Sequence, residues 1–183
     1  MIMGDRVRLR SIELDDLPRF VSWFNDPEVQ RGLPMCTPLS AQDEEDWFQQ
    51  NQKRKPEERT LSVDANVEDE WKHIGSCGFV EIDMRERSAE IGITIGDKSF
   101  WGQGYGSDTL RVLLRHAFDT LNLHRVQLRV FEGNLRAIRV YRNLGFQEEG
   151  RMRQAHFHAG QYEDVLIMGL LREEWSANEE AKG

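Results

Sequence analysis

Apolar and polar residues alternate in several short segments of the chain, and this pattern predicts β-strands. Arg6–Ser11 alternates between basic and apolar residues. Glu90–Ile95 places its three isoleucines on one face and its Glu, Gly and Thr on the other. The same type of pattern predicts five further strands, at about Leu61–Asn66, Trp71–Ile82, Val126–Val130, Phe146–His156 and Tyr162–Leu171.

Apolar residues three or four positions apart predict four helices. The first follows Asp16, the second begins at Ser40, the third begins near Gly104, and the fourth is capped by Asn134 and ended by Gly145. The resulting order, βααβββαβαββ, predicts a mixed α/β (α+β) sheet. The length of 183 residues fits one domain, expected over residues 1–175, with a charged, disordered tail over 176–183.

Composition and charge narrow the functional classes. The chain has 39% hydrophobic and 31% charged residues, with no apolar run long enough for a membrane span and no signal-peptide pattern, so we expect a cytoplasmic protein. A formal charge of −8 disfavours binding to a nucleic-acid backbone and would attract cationic substrates. Cys36 and Cys77 show no metal-ligand spacing, so we expect reduced, buried thiols and no metal site.

A glycine-rich segment between a predicted strand and a predicted helix is the first candidate for chemistry. Glycines at positions 102, 104 and 106 let the backbone approach an anion closely, and the start of the helix adds unpaired N–H groups. This combination predicts a pyrophosphate cradle, although such a turn can also be only a turn. The segment lacks the Gly-Lys-Ser/Thr ending of a Walker loop and fits the Rossmann fingerprint poorly.

A second motif, Asn134–Phe146, lies about one strand downstream of the loop helix. Together, the Gly104–Gly106 pattern, the asparagine, the Ala-x-x-x-Tyr spacing and the Leu-Gly-Phe ending resemble the GNAT N-acetyltransferase superfamily. Trp101 departs from the Gln or Arg that usually opens the loop. The resemblance covers nearly the whole chain and is greatest to the branch that holds ribosomal-protein N-terminal acetyltransferases and spermidine N-acetyltransferases.

The resemblance implies a mostly antiparallel central sheet of about seven strands, flanked by about four helices, that binds acetyl-CoA as cosubstrate. It assigns the pantetheine amides to the backbone of Ile93, Thr94 and Ile95, a segment that could equally be an ordinary buried strand. It also assigns the glycine-rich loop to the cofactor, with the pyrophosphate on the amides of residues 102–107. The loop residues concerned are Trp101, Gly102, Gln103, Gly104, Tyr105, Gly106 and Ser107.

Three residues of the second motif receive roles from the same resemblance. Tyr141 is the candidate general acid that protonates the departing thiolate, although its spacing alone would fit a core tyrosine. Asn134 would contact the cofactor, or would only cap its helix. Arg142 could contact phosphate, or could be a solvated residue near a helix end, and we favour the latter.

The best candidate for the general base is Glu90, at the start of the strand before the loop, where the related polyamine enzymes also carry an acid; the alternative is a solvated edge carboxylate. An alkyl amine, with a pKa of about 10.4, needs a base more than a peptide α-amine with a pKa of about 7.8. Glu81 and Asp83 are alternatives to Glu90. His156 and His158 could line an amine site, or could be exposed turn residues.

The identity of the amine stays open between a protein N-terminus, a polyamine, a free amino acid and an aminoglycoside. Related polyamine enzymes carry paired acidic residues where this chain has Leu33–Pro38, which contains none. The acidic run Asp43–Asp46 predicts a solvated helix start, and His73 a surface position. A catalytically silent acyl-CoA sensor is the alternative to an enzyme, and a homodimer fits either.

Overall fold

The computed structural model describes residues 1–35 and 37–180, so Cys36 lies outside the described residues. One eight-stranded sheet has the order β1-β2-β3-β4-β5-β6-β8-β7. Its strands all pair antiparallel except β5 and β6, which confirms the predicted mixed, mostly antiparallel sheet. The strands are β1 (Ile2–Met3), β2 (Val7–Ser11), β3 (Leu61–Val67), β4 (Glu70–Asp83), β5 (Ser88–Ile95), β6 (Arg125–Phe131), β7 (Gln147–His158) and β8 (Gln161–Leu171).

The described residues form six α-helices, four of which correspond to the predicted ones. The segment predicted as a tail from residue 176 begins inside the last helix, and residues 181–183 lie outside the described residues. A five-residue π-helical stretch, His116–Thr120, extends the fourth helix. The helices are α1 (Leu17–Phe24), α2 (Pro27–Gln30), α3 (Ala41–Lys53), α4 (Tyr105–Arg115), α5 (Leu135–Asn143) and α6 (Arg172–Glu180).

The predicted helix boundaries have their expected physical causes. Ser40 and Asp43 form a reciprocal capping box, with the Asp43 amide 3.1 Å from Ser40 Oγ and the Ser40 amide 2.8 Å from Asp43 Oδ2. Asn134 Oδ1 accepts the Ala137 amide at 3.2 Å and caps α5. Gly145, with φ of +99°, adopts the left-handed conformation just beyond α5.

Two hydrophobic clusters occupy the two faces of the sheet. The larger cluster includes Val7 and Leu9 of β2 together with Leu113 of α4. The alternate residues of β2 point to the other face, where α1 and α3 form a smaller cluster around Phe20 and Phe48. The sheet is therefore the middle layer, with α4 on one side and the α1–α3 layer on the other.

A polar network lies between the sheet and α1. Asp16 accepts two hydrogen bonds from Arg10, at 2.7 and 2.8 Å, and one from the Ser62 hydroxyl at 3.0 Å. His73 Nδ1 lies 3.1 Å from Asp16 Oδ1, and Arg10 Nε also donates to Asp64 at 2.8 Å. Burial raises the pKa of Asp16, but the hydrogen bonds from Arg10 and His73 outweigh it and hold that pKa well below its usual range.

Two predicted surface positions are wrong. His73 is buried against the rings of Phe20 and Trp23 of α1. It lies on β4 opposite Asp64, where the bulge between Val63 and Asp64 of β3 shifts the register of the two strands. Glu44 of the acidic run is also buried, on the same helix face as Phe48, and its Oε1 atom has no hydrogen-bond partner within the described residues. This burial raises the pKa of Glu44 to about 7.

We expect Asp16→Asn to lower the free energy of unfolding at pH 7 by about 3 kcal/mol, because Arg10 then loses its buried anionic partner. A depressed carboxylate pKa contributes stability above the unfolded-state value of about 3.9, and this contribution is lost as the pH falls below it. The difference between wild type and variant should therefore shrink below about pH 4. Urea unfolding at several pH values measures it.

The matched control is Asp15→Asn, which removes the same charge from the exposed neighbouring residue and should leave stability nearly unchanged. Equal stabilities of Asp16→Asn and Asp15→Asn at pH 7 would contradict a stabilising role for the network.

Candidate functional site

Strands β5 and β6 are paired for only three residues and then separate. Their parallel ladder joins Ser88–Glu90 to Arg125–Gln127. Beyond Glu90, β5 keeps its antiparallel partner β4, while β6 keeps its antiparallel partner β8 along its whole length. The facing edges of β5 and β6 are therefore open from Ile91 onward, and their backbone groups need other partners.

The open edge of β5 carries backbone groups of Ile93 and Ile95. The Thr94 carbonyl is directed towards β4, where it lies against Gly75. Because successive residues of a strand direct their backbone groups to alternate edges, those of Ile93 and Ile95 face β6. The Trp101 indole donates to the Ile95 carbonyl at 2.6 Å. By the same alternation, the amide and the carbonyl of Ile93 face the opening.

The glycine-rich loop at the end of β5 presents a run of unpaired amides. Within the described structure, none of the six backbone N–H groups from Gly102 to Ser107 donates a hydrogen bond. Gly104 is the N-cap of α4 with φ of +89°, and Gly102 has φ of +73°, conformations that favour glycine. These amides and the positive end of the α4 dipole form a candidate anion-binding site.

The fold itself does not require a glycine at position 106 of the loop. It lies in the first turn of α4 with a negative φ, and an added Cβ would meet only the side chain of Ile95, at an ordinary contact distance of 3.7 Å. Glycine costs about 0.5–1 kcal/mol relative to alanine inside a helix. A ligand that approaches this backbone closely would explain the residue.

Two arginines that the sequence reasoning did not select brace the loop. Arg6 Nη1 donates to the Gln103 carbonyl at 2.9 Å, and its guanidinium lies 4.0 Å from the centre of the Tyr105 ring. The Arg136 guanidinium lies 3.8 Å from the centre of the Trp101 ring. Both place positive charge beside the predicted phosphate site. Their positions in the sequence do not predict these contacts, because the contacts join the loop to the residue before β2 and to α5, which are distant in the chain.

Tyr141 of α5 is buried in the core and packs edge-on against Phe146, with ring centres 5.9 Å apart. Its hydroxyl takes part in none of the hydrogen bonds of the described residues. Burial raises the pKa of Tyr141 to about 12, so the phenol keeps its proton throughout the neutral range. It is thus both a packed core residue and a permanent hydrogen-bond donor.

Glu90 is the last β5 residue paired with β6, so its position marks the point at which the strands part. Its side chain is 19% exposed, and Arg129 Nη2 lies 3.4 Å from its Oε2. The alternative base Glu81 is its direct partner on β4. Asp83 instead accepts the amides of Arg85 and Glu86 in a turn. Glu90 thus lies where the opening begins.

A cavity of about 240 Å³ lies over β4 and β5, next to the open segment. Gly92, Ile93 and Thr94 form one wall. Arg54, at the end of α3, and Thr60, at the start of β3, contribute another. The rest of the lining is Ser76, Cys77, Gly78, Phe79 and Val80.

Arg142, His156 and His158 do not line this cavity, whereas Cys77 does. Arg142 is in the last turn of α5 and lies 3.6 Å from Glu148. His156 stacks on the Phe131 ring at 3.6 Å and lies 3.8 Å from Glu163. His158 is in the same strand, β7, near its hairpin. Cys77 is a buried thiol whose pKa burial raises to about 12, which leaves it unreactive.

Within residues 1–35 and 37–180, no group of His, Cys, Asp or Glu side chains is arranged to hold a metal ion. None of the helices in that part of the chain has the length and apolar character of a membrane-spanning segment.

Comparison with known proteins identifies relatives of this chain. The model of the acetyltransferase (GNAT) domain family matches residues 6–147. The spermidine N(1)-acetyltransferase of Vibrio cholerae is 31% identical over 175 residues, which cover 94% of this chain and 97% of that protein. The putative ribosomal N-acetyltransferase YdaF of Bacillus subtilis is 34% identical over 125 residues, covering 66% of this chain and 68% of that protein.

A solved structure agrees with these relatives. The Vibrio cholerae spermidine N-acetyltransferase in complex with CoA and spermine superposes with a TM-score of 0.84 at 27% identity, covering 93% of this chain and 98% of that one. The family match spans well over half of the chain. This chain belongs to the GNAT family of acetyltransferases.

Proposed function

We propose that the protein transfers an acetyl group from acetyl-CoA directly to a primary amine, in a ternary complex of enzyme, acetyl-CoA and amine. The observation that carries this proposal is the opening between β5 and β6, which leads from the free backbone of Ile93 to the unpaired loop amides. Pantetheine is a chain of amides and pyrophosphate is a compact anion, so the two surfaces are chemically complementary to the two parts of CoA. The Vibrio cholerae spermidine N-acetyltransferase, which was solved in complex with CoA and spermine, supports CoA as the cofactor part.

The loop would hold the pyrophosphate on the amides of residues 102–107, with Arg6 and Arg136 adding positive charge. Asn134 caps α5 through its Oδ1, and its Nδ2 would be the donor to the cofactor. The open edge of β5 would align the thioester. The free energy of binding would then offset the entropic cost of bringing the thioester and the amine together.

Tyr141 would act on the departing sulfur. A phenol with a pKa of about 12 is a weaker acid than a thiol with a pKa of about 8.5, so full proton transfer before the bond breaks is unfavourable. Its contribution is therefore a hydrogen bond to the sulfur that strengthens as negative charge develops, with the proton following.

Glu90 would accept the proton of the incoming ammonium, directly or through a water molecule. It lies where the strands part and it is partly exposed, so it can exchange protons with solvent. Among the described residues that line the cavity, the Cys77 thiol has its pKa raised to about 12 by burial, which favours direct attack by the amine over a covalent acyl-enzyme. A cytoplasmic location and a homodimer stay predictions.

Gly106→Ala tests the anion cradle. We expect at least tenfold weaker binding of acetyl-CoA, because the added methyl group would lie against the phosphates. The melting temperature of the free protein should stay the same or rise, because alanine favours the helix. Calorimetric titration and thermal melting measure the two effects. Gly150→Ala, in the exposed β7, is the control and should change neither. Wild-type affinity in Gly106→Ala would exclude this loop as the phosphate site.

Tyr141→Phe removes one oxygen and keeps the packing ring. We expect an acetyl-CoA affinity close to that of wild type and a kcat that is lower by about ten- to ten-thousand-fold. Tyr162→Phe, which alters an exposed tyrosine, is the matched control. An unchanged kcat, with the chemical step shown to limit the rate, would make Tyr141 purely structural.

Glu90→Gln tests the base. We expect a large loss of kcat/KM at pH 7 for an alkyl amine and a smaller loss for a peptide α-amine, which is already partly neutral. The rate of the variant should recover as the pH rises, because solvent then supplies the neutral amine. Glu81→Gln, the partner across the strand pair, is the control. Superimposable pH profiles for wild type and Glu90→Gln would remove Glu90 from the mechanism.

Release of CoA thiol across a panel of amines tests the function as a whole. Tight acetyl-CoA binding without thiol release for any amine would instead identify an acyl-CoA sensor.

A further inference from the structure

The cavity beside the open strand has an unusual charge. Its lining contains one charged residue, Arg54, and no carboxylate, in a chain whose formal charge is −8. An amine acceptor is itself cationic at neutral pH, so a positive wall would repel it unless the acceptor also carries a negative group. The polarity of this cavity therefore constrains the class of acceptor.

Arg54 has no acidic partner in the part of the chain that the structure describes. Its Nη2 donates to the carbonyls of Phe79 and Val80, at 3.1 and 2.7 Å, where β4 has a bulge. These bonds fix the guanidinium beside the cavity, and its Nε and Nη1 atoms have no hydrogen-bond acceptor among residues 1–35 and 37–180. Arg59 Nε donates to the Arg54 carbonyl at 3.2 Å, which adds a second positive charge nearby.

Three carboxylates, two at the start of α2 and one where β5 and β6 part, are already paired with cations. Asp26 and Glu28, beside α2, both bind Lys98 Nζ, at 2.8 and 2.6 Å. Glu90 is paired with Arg129. A polyamine needs several free carboxylates, and a half-buried guanidinium without a partner is arranged for an anion instead.

Resting on the acetyl transfer proposed above, we propose that the acceptor is a small amine that also carries a carboxylate, an amino acid, and that Arg54 binds this carboxylate. The cavity is smaller than the 300–1,000 Å³ typical of sites for drug-sized ligands, which suits such a molecule. With the carboxylate on Arg54, the amine lies towards Gly92–Thr94, where the thioester is expected.

The reaction is balanced by groups already named. The amine nitrogen, after losing one proton to Glu90 or water, attacks the thioester carbon and forms the C–N bond. The C–S bond breaks, and the sulfur leaves with its electron pair and takes up a proton through Tyr141. The nitrogen loses its second proton to solvent as the amide forms. Arg54 takes no part in these bond changes and acts by positioning the acceptor.

The experiment compares each acid with its own amide. Wild-type enzyme is assayed by thiol release with L-α-amino acids, β-alanine and γ-aminobutyrate, with the matching carboxamides, with spermidine, and with a short peptide amide that has a free N-terminus. For the fastest acid we expect kcat/KM to exceed that of its amide by about ten- to one-hundredfold, the usual range for a lost charge-assisted hydrogen bond, and to exceed that of spermidine.

Arg54→Met should abolish the preference for the acid, mainly through KM, while leaving the acetyl-CoA affinity unchanged. Lys55→Met is the matched control: it removes one positive charge from the adjacent exposed residue, which lies outside the cavity lining, and should keep the preference. Arg54→Lys keeps a charge and a donor near the bulge and should retain part of the preference. Thermal melts and acetyl-CoA binding show that each variant is folded.

The outcomes separate the two proposals. Turnover with equal rates for acids and amides, or fastest turnover of spermidine or of the peptide amide, overturns the amino-acid proposal and leaves acetyl transfer intact. An acid preference that survives in Arg54→Met overturns the role of Arg54. Acetyl-CoA binding without turnover of any amine overturns acetyl transfer and this inference together. The acid-over-amide comparison in wild type decides the substrate class even if Arg54→Met fails to fold.

Discussion

The site depends on the short backbone pairing between β5 and β6. Each strand has two edges, and β6 uses one of them fully for β8 while β5 uses one fully for β4. The remaining two edges meet for only three residues, through Ser88–Glu90, and then separate. Unpaired backbone groups inside a protein are costly, so an opening of this kind persists as part of a fold where a ligand or solvent satisfies them. The opening is therefore a binding surface made of main chain rather than of side chains.

The glycine-rich loop continues the chain beyond β5, after a short 3-10 turn at Lys98–Phe100. Gly102 and Gly104 adopt left-handed conformations there, and Gly104 is the N-cap of α4. The Trp101 indole donates to the Ile95 carbonyl, which fixes the loop to the strand that precedes it. Arg6, just before β2, and Arg136, of α5, contact the loop through Gln103 and Trp101. The two parts of the proposed cofactor site thus lie on one segment of chain, braced by distant residues.

Charge is distributed unevenly around this surface. The chain is acidic overall, yet Asp26 and Glu28 are paired with Lys98, and Glu90, where the strands part, is paired with Arg129. On the α1 side, Asp16 and Asp64 are neutralised by arginines of β2. Net charge alone would suggest a polycation as substrate, whereas the pairing leaves Arg54 as the charge that faces the cavity. A difference of this kind separates relatives that share a fold and a cosubstrate but differ in acceptor.

The sequence by itself determined the order of the elements, the loop and the caps, because these follow from local rules. Hydrophobic period, the Ser40 and Asn134 caps, and the glycines of the loop and of Gly145 act within a few residues of each other. Only the tertiary structure decided the burial of His73 and Glu44, the bracing by Arg6 and Arg136, and the free charge of Arg54. These features arise where residues far apart in the chain meet, and neither periodicity nor spacing records which distant partner will neutralise, bury or expose a given side chain.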